Sequence, residues 1–352
     1  MAKYFQNIPL EKENIQSLRD AIVVELLKSE DFRRFVTLVY AKANDPVALI
    51  GEMGAVGNAG ASCDPTYKDI GIDNKQKRWE IGEWSIPLKI CYEDLEGTIA
   101  EYSLRTGTEI GDLTGTEFMA LYLDLLRTQI QRMMWRFIWF GDTAAKTQTS
   151  SGQLLDGTDI TLFTTCDGLW KRLFNIATEN ESQKTAIMAN EETTFATQTT
   201  AMRADGYATK LVDTILMDAD SRINANGGAI LMMNKKFADA LTLDIKHTYK
   251  EIMPWNTVFN GFSTAQYNGV TIAAFDTWDW MINTYFKTAT AWNEPFRAVY
   301  ANPRNLLVGT PQNDVVSNLD IWFERKERRQ YIYATGKLGT MIPQEDLVHV
   351  AY

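Results

Sequence analysis

Between Thr114 and Phe140 the chain carries a hydrophobic repeat that only a long helix can satisfy. Phe118, Leu121, Tyr122, Leu125, Leu126, Ile130, Met133, Met134, Phe137 and Ile138 recur at spacings of three and four, the signature of one helical face. Asp124, Arg127, Thr128, Gln131, Arg132 and Arg136 fill the remaining turns. Thr114 and Glu117 have capping-box spacing, and Gly141 stands where a C′ glycine belongs. At about 1.5 Å per residue such a helix is roughly 36 Å long, against a mean of about 11–12 residues for helices in general. A rod of that length can act as the spine of an elongated subunit. Its methionines and aromatics read as core rather than as a cofactor box.

The segments before it look incomplete on their own. Residues 10–43 predict helix, with Ile15, Leu18, Ile22 and Leu26 on one stripe. Ser29 before Glu30-Asp31 predicts a second N-terminus, for a helix carrying Phe32, Phe35, Val36 and Val39 and stopped by Asn44-Asp45-Pro46. Little nearby sequence can cover that stripe. Gly51, Gly54, Gly57 and Gly60 lie in a run of small residues with no phosphate-binding pattern around them, so residues 51–65 read as an extended connector. Along residues 77–94, Trp84, Ile86, Leu88, Ile90 and Tyr92 alternate with Ser85, Lys89 and Glu93, which predicts a strand. Gly82 marks a change of phase, hence a bulge or bend, and Pro87 predicts an edge or unpaired register. Residues 66–76 are the expected partner. A lone hairpin is marginal in water, so this one calls for a surface supplied by a neighbour.

Downstream, helices and strands mix without strict alternation, and the expected class is α+β. Residues 143–165 read as loop, Asp167-Gly168-Leu169-Trp170 as the start of a short helix, and 180–200 as a polar stretch. A helix over 208–223 precedes the turn Asn226-Gly227-Gly228, then a strand over 229–233 and a helix over about 235–246. Asn268-Gly269 predicts a turn into the strand VTIAAF, residues 297–309 another strand or hairpin, and the last 33 residues are extended. There is no internal repeat.

The chemical inventory is thin. Among 352 residues there are 35 basic and 45 acidic side chains, for a net charge of −10, whereas a sequence-reading DNA binder carries a basic face. Cys63, Cys91 and Cys166 are far apart, and the only histidines are His247 and His349, so neither a zinc site nor a His-based nucleophile motif is expected. The cysteines read as reduced, buried thiols. Nothing resembles a signal peptide or a membrane span, and folding in the cytoplasm is expected. Asp276 and Asp279 beside Trp278 and Trp280 form the most enzyme-like patch, a carboxylate pair of the kind that cleaves glycosidic bonds. The same residues also suit an ordinary turn or an aromatic subunit contact. Arg325-Lys326-Glu327-Arg328-Arg329 could touch nucleic acid, but Glu324 and Glu327 dilute its field, and it reads as a solvated hairpin face or a set of inter-subunit salt bridges.

The order of these elements resembles the major capsid protein of tailed double-stranded-DNA phages, the Johnson or Hong Kong 97-like fold. Phe140-Gly141-Asp142 followed by Asp167-Gly168-Leu169 is similar to that family's Gly-Asp helix exit and following Gly-Leu-Leu. Ala229–Lys246 resembles its strand, Asn, then helix, and Tyr267-Asn268-Gly269-Val270 its aromatic-x-Gly-Val strand entry. The ending KLGTMIPQEDLVHV, with Pro343, resembles the final strand returning to the peripheral domain. The resemblance spans nearly the whole chain and implies an N-terminal arm over 1–50 and an E-loop hairpin over 51–92. It implies a peripheral domain over 93–205 and 320–352 containing the spine helix 114–140, and an axial domain over 206–319. No charged region precedes the arm, so no fused scaffolding segment is expected, and no lysine–asparagine cross-link of the kind some relatives form can be placed.

What the resemblance implies is a structural protein, not an enzyme, without cofactor or metal. It would assemble into pentamers and hexamers of an icosahedral virion shell in the host cytoplasm. Its partners would be further copies of itself, portal, scaffolding and decoration proteins, and DNA met non-specifically at the inner face; no membrane is involved. Trp79, Trp84 and Ile86 are the expected inter-subunit contacts. An encapsulin-like nanocompartment shell is the near alternative, and a carbohydrate-active enzyme using Asp276 and Asp279 the distant one.

Overall fold

The computed structural model describes residues 34–53, 72–91, 117–225, 227–248, 250, 253–259, 262–311, 316–324, 326–327 and 329–352. The expected stripe at Ile15–Leu26, the glycines 54–60 and the cap at Thr114 lie outside them.

The long apolar repeat forms helix α1 (Glu117–Phe140). Beside it stands a sheet organised by one long strand, β13 (Arg329–Met341). Along one edge β13 pairs antiparallel with β4 (Gly82–Cys91), Trp84 opposite Gly336. Along the other it pairs first with β12 (Val316–Glu324) and then with β11 (Leu307–Thr310), which in turn pairs parallel with β1 (Thr37–Tyr40). The helix expected over Phe35, Val36 and Val39 is therefore a turn and a strand. Phe35 and Val36 are buried in the main core, and a short run rich in β-branched residues satisfies either period until a partner strand decides. The hairpin also differs from expectation. β3 (Ile72–Arg78) pairs with β2 (Pro46–Met53), not with β4.

A second sheet has the order β5 (Lys184–Thr185), β14 (Val348–Ala351), β10 (Ala298–Ala301), β6 (Ile230–Asn234), β9 (Val270–Phe275), β8 (Phe262–Tyr267), β7 (Asn256–Phe259). It is a wall between two cores. Met232, Ala273, Phe275, Val299 and Val350 face the main core with α1, α2 (Leu169–Glu179) and α6 (Asp276–Tyr285). Leu231, Met233, Ile272, Ala274 and Ala298 face the second core with α4 (Tyr207–Asp218) and α5 (Lys235–Thr248). Burial on both sides is why the β6 sequence ILMM is apolar without alternation. A shorter helix, α3 (Phe195–Met202), sits in the formerly featureless polar stretch, closed by a Thr194–Thr197 capping box. The chain end is placed unexpectedly, since β14 lies inside this sheet, between β5 and β10. Residues 297–309 supply β10 to one sheet and β11 to the other, so they are not a hairpin.

Two glycines do different work from that expected. Gly82 and Gly141 flank the strap Thr165–Gly168. A Cβ on Gly82 would stand 1.6 Å from the Thr165 carbonyl oxygen, and one on Gly141 2.3 Å from that of Cys166. Neither has a positive φ; what each provides is room for backbone to pass.

Candidate assembly surface

The β2–β3 ribbon pairs with no third strand among the described residues, and a sheet edge left unpaired is the usual template for a second chain. Its base is fixed. Asn44 N donates to Trp79 O (2.9 Å) and Trp79 N to Asp45 O (3.1 Å). Lys77 Nζ donates to Ile342 O (2.6 Å) and to Glu345 (2.5 Å). The Trp79 ring, 3% exposed, lies with Ala41 and Met341 over Gly309, where a Cβ would fall 2.5 Å from it.

Strands β12, β13 and β4 form a second surface. Their inner face, with Trp84, Ile332, Ala334 and Leu338, packs into the main core. On the outer face Trp322 stacks on Tyr331, ring centroids 5.4 Å apart at 11°, with Tyr333 two residues on. Trp322 is 44% and Tyr333 38% exposed. Large, partly exposed aromatics on one sheet face are of the kind enriched in the buried centres of interfaces.

Of the residues expected to meet a neighbour, Trp79 and Trp84 (4% exposed) are covered by their own chain, and Ile86 is half-buried against the main core. Alternation places Trp84 and Ile86 on one face of β4, with Trp79 beyond the phase change at Gly82, but cannot say which face the same chain already covers. Trp322, Tyr331 and Tyr333 escaped notice, although IWF and YIY, apolar at consecutive positions, mark strands with both faces apolar. The basic run is a turn, with Lys326 and Glu327 exposed; Arg325 and Arg328 lie outside the described residues.

The carboxylate pair does not form a cleft. Asp276 and Asp279 sit in the first turn of α6, not in a loop. Asp279 accepts from Asn234 Nδ2 (2.7 Å) and from Lys236 N (2.8 Å), so it caps α5 and ties α6 to the end of β6. Asn234 is fully buried and also accepts from Arg297 N (3.0 Å). Trp278 is buried in the main core, stacked on Phe275, and Trp280 lies against Arg132. Burial raises the Asp279 carboxyl to about 6, against the pull of its two donors. A carboxyl with a raised folded pKa favours folding at low pH, and that contribution is lost as pH rises from 3.8 towards about 6. The melting temperature of the wild type is therefore expected to fall relative to Asp279→Asn across that window and to run parallel to it above. A constant difference at every pH would show that Asp279 does not titrate there.

Among the described residues, no three His, Cys, Asp or Glu side chains cluster as metal ligands, and no helix is long and apolar enough to cross a membrane. Cys166 is buried, and burial raises its thiol to about 12. His349, buried and held below its usual pKa chiefly by desolvation, shares a 2.8 Å hydrogen bond with Thr185.

No family model matches the chain, and no characterised protein is detectably similar to it in sequence. Solved structures are more informative. The capsid of a native GTA particle aligns over 91% of this chain and 89% of that one, with a TM-score of 0.51 at 11% identity. The chain has a capsid-protein fold. A structure from Mycobacterium phage Ogopogo aligns over 90% of each chain, with a TM-score of 0.50 at 13% identity. The holo-SrpI encapsulin complex of Synechococcus elongatus aligns more loosely, with a TM-score of 0.44 at 8% identity over 90% of this chain and 85% of that one. The capsid-like fold is carried by a mixed helix-and-sheet chain at 11–13% identity to the GTA and Ogopogo structures.

Proposed function

We propose that this chain is the shell-forming major capsid subunit of a tailed DNA phage and that its work is self-association. The observation that carries the reading is the shared fold with the GTA capsid over nine-tenths of both chains. In this reading α1 is the spine helix, the β2–β3 ribbon belongs to the E-loop, and residues 1–50 are the arm. Residues 93–205 with 320–352 are the peripheral part, and 206–319 the axial part. Pentamers and hexamers close an icosahedral virion shell around DNA, and portal, scaffolding and decoration proteins are its further partners. The ribbon edges and the Trp322–Tyr331–Tyr333 face are surfaces that neighbours in a shell would cover. The side chains that looked enzymatic are spent on capping and packing, which supports a structural role.

The test is negative-stain microscopy of the expressed protein, alone and with the products of its neighbouring genes. Rings and closed shells are expected; a compact monomer under every condition would sink the reading. Particles filled with a protein cargo and no DNA would make it a nanocompartment shell instead. Trp322→Ser should block ring formation at a stability cost of about 1 kcal/mol, the upper range for losing a cross-strand aromatic pair.

A further inference from the structure

A cavity of about 400 Å³ opens where the exit of α1, the loop 144–154 and α2 meet. Arg297 forms part of its wall while being only 1% exposed. The guanidinium lies 5.1–5.6 Å from four ring centroids, those of Phe140, Trp170, Phe174 and Phe286, all of which also line the cavity. Among the described residues the guanidinium donates from Nε to Glu294 O (2.8 Å) and from Nη2 to Asn293 O (3.2 Å). The Glu294 carboxylate stands off at 3.7 Å, and its buried Oε2 has no hydrogen-bond partner among the described residues. An arginine has five N–H donors, and leaving them unused away from water is costly. Lys146 adds positive charge to the lining, whereas Lys171 is already paired with Asp142 at 2.5 Å and with Asp167 at 3.0 Å.

An apolar, ring-lined cavity with a buried cation short of acceptors is the usual form of a small-ligand site. We propose that this cavity binds an organic anion with a flat apolar body, its carboxylate or sulfonate head on Arg297 and its body among the rings. The head supplies charge-assisted acceptors within hydrogen-bond reach, which the Glu294 carboxylate at 3.7 Å does not, and the rings exclude water from them. Nothing in this depends on shell formation, so the cavity and the assembly surface stand or fall separately.

Anilinonaphthalene sulfonate is a suitable probe, with uncharged phenylnaphthylamine as its control. Titrated into the folded full-length protein, the sulfonate should bind saturably at one per chain and be excited by energy transfer from tryptophan, since Trp170 forms part of the wall. The neutral compound should bind at least about tenfold more weakly, as expected for loss of about 1.4 kcal/mol or more of head-group interaction. Lys146→Glu, at the exposed rim, should weaken the sulfonate several-fold. Arg297→Gln should erase the preference for the sulfonate. Should that variant fail to fold, Ala145→Trp, which fills the cavity from a loop, should abolish binding with the melting temperature preserved. Unsaturable binding, equal binding of the two compounds, or binding unmoved by Ala145→Trp would each overturn the proposal, as would no binding.

Discussion

Gly82→Ala is expected to leave almost no folded protein, with a loss of at least about 4 kcal/mol, the range reserved for backbone conflict and buried disruption. The added methyl would stand 1.6 Å from the Thr165 carbonyl oxygen and 2.6 Å from its carbon. Both are main-chain atoms, so no rotamer change can make room. Nor can the strap move away, because its far side rests on the exit of α1. Gly168 N donates to Gly141 O at 2.8 Å, and a Cβ on Gly168 would lie 2.6 Å from Gly141 N. Gly157→Ala is the contrasting case. Nothing lies within 4 Å of its Cβ position, but φ is +86°, so only the left-handed backbone penalty of about 1–2 kcal/mol applies. Soluble yield and urea unfolding of the two variants side by side check the distinction. A Gly82→Ala protein that unfolds like wild type would mean that β4 and the strap are not in this contact.

The second large effect is at Trp139. Its ring stands 4.6 Å from Trp278, 5.9 Å from Trp170 and 6.1 Å from Phe275, joining α1, α2, α6 and β9 at one point. Trp139→Ala should cost about 3–5 kcal/mol, the usual range for emptying a buried tryptophan site. Trp139→Phe should cost about 1–1.5 kcal/mol. The indole N–H has no acceptor among the described residues, so phenylalanine loses volume but no hydrogen bond, and relieves a buried donor. Urea midpoints of the two variants measure the gap. If phenylalanine proved as damaging as alanine, the N–H would have a partner after all.

The legible parts of this fold were those set by local chemistry. A ten-member apolar repeat could be nothing but α1. Asn268-Gly269, with φ of +47° and +79°, made the tight turn between β8 and β9 that the pair favours. The unreadable parts depended on partners distant in the chain. β4 alternates correctly, but its ladder partner is β13, with Ile86 opposite Ala334, and no local signal distinguishes that from pairing with residues 66–76. Gly141 looked like a cap because it follows a helix, yet its small size serves the strap. Asp279 looked reactive because it is acidic and beside tryptophans, yet its lone pairs are taken by Asn234 and Lys236. Exposure was not legible: Trp79 and Trp84, expected to meet a neighbour, are covered by their own chain, whereas Trp322 is 44% exposed. Trp79 and Trp84 are as apolar as Trp322, and only the packing of α1 and the chain end decides which of them meets water.

Strand β13 has a mechanical consequence. It is gripped on one edge by β4 along Arg329–Leu338 and on the other by β12 and then β11. Force drawn along it loads those ladders in shear, so that many hydrogen bonds must give way together instead of unzipping singly. Its far end runs through Met341 into Ile342, whose carbonyl holds Lys77 at the base of the ribbon. Tension that reaches Ile342 is thereby passed into a strand built as a tie-rod, whose ladders to β4, β12 and β11 share it.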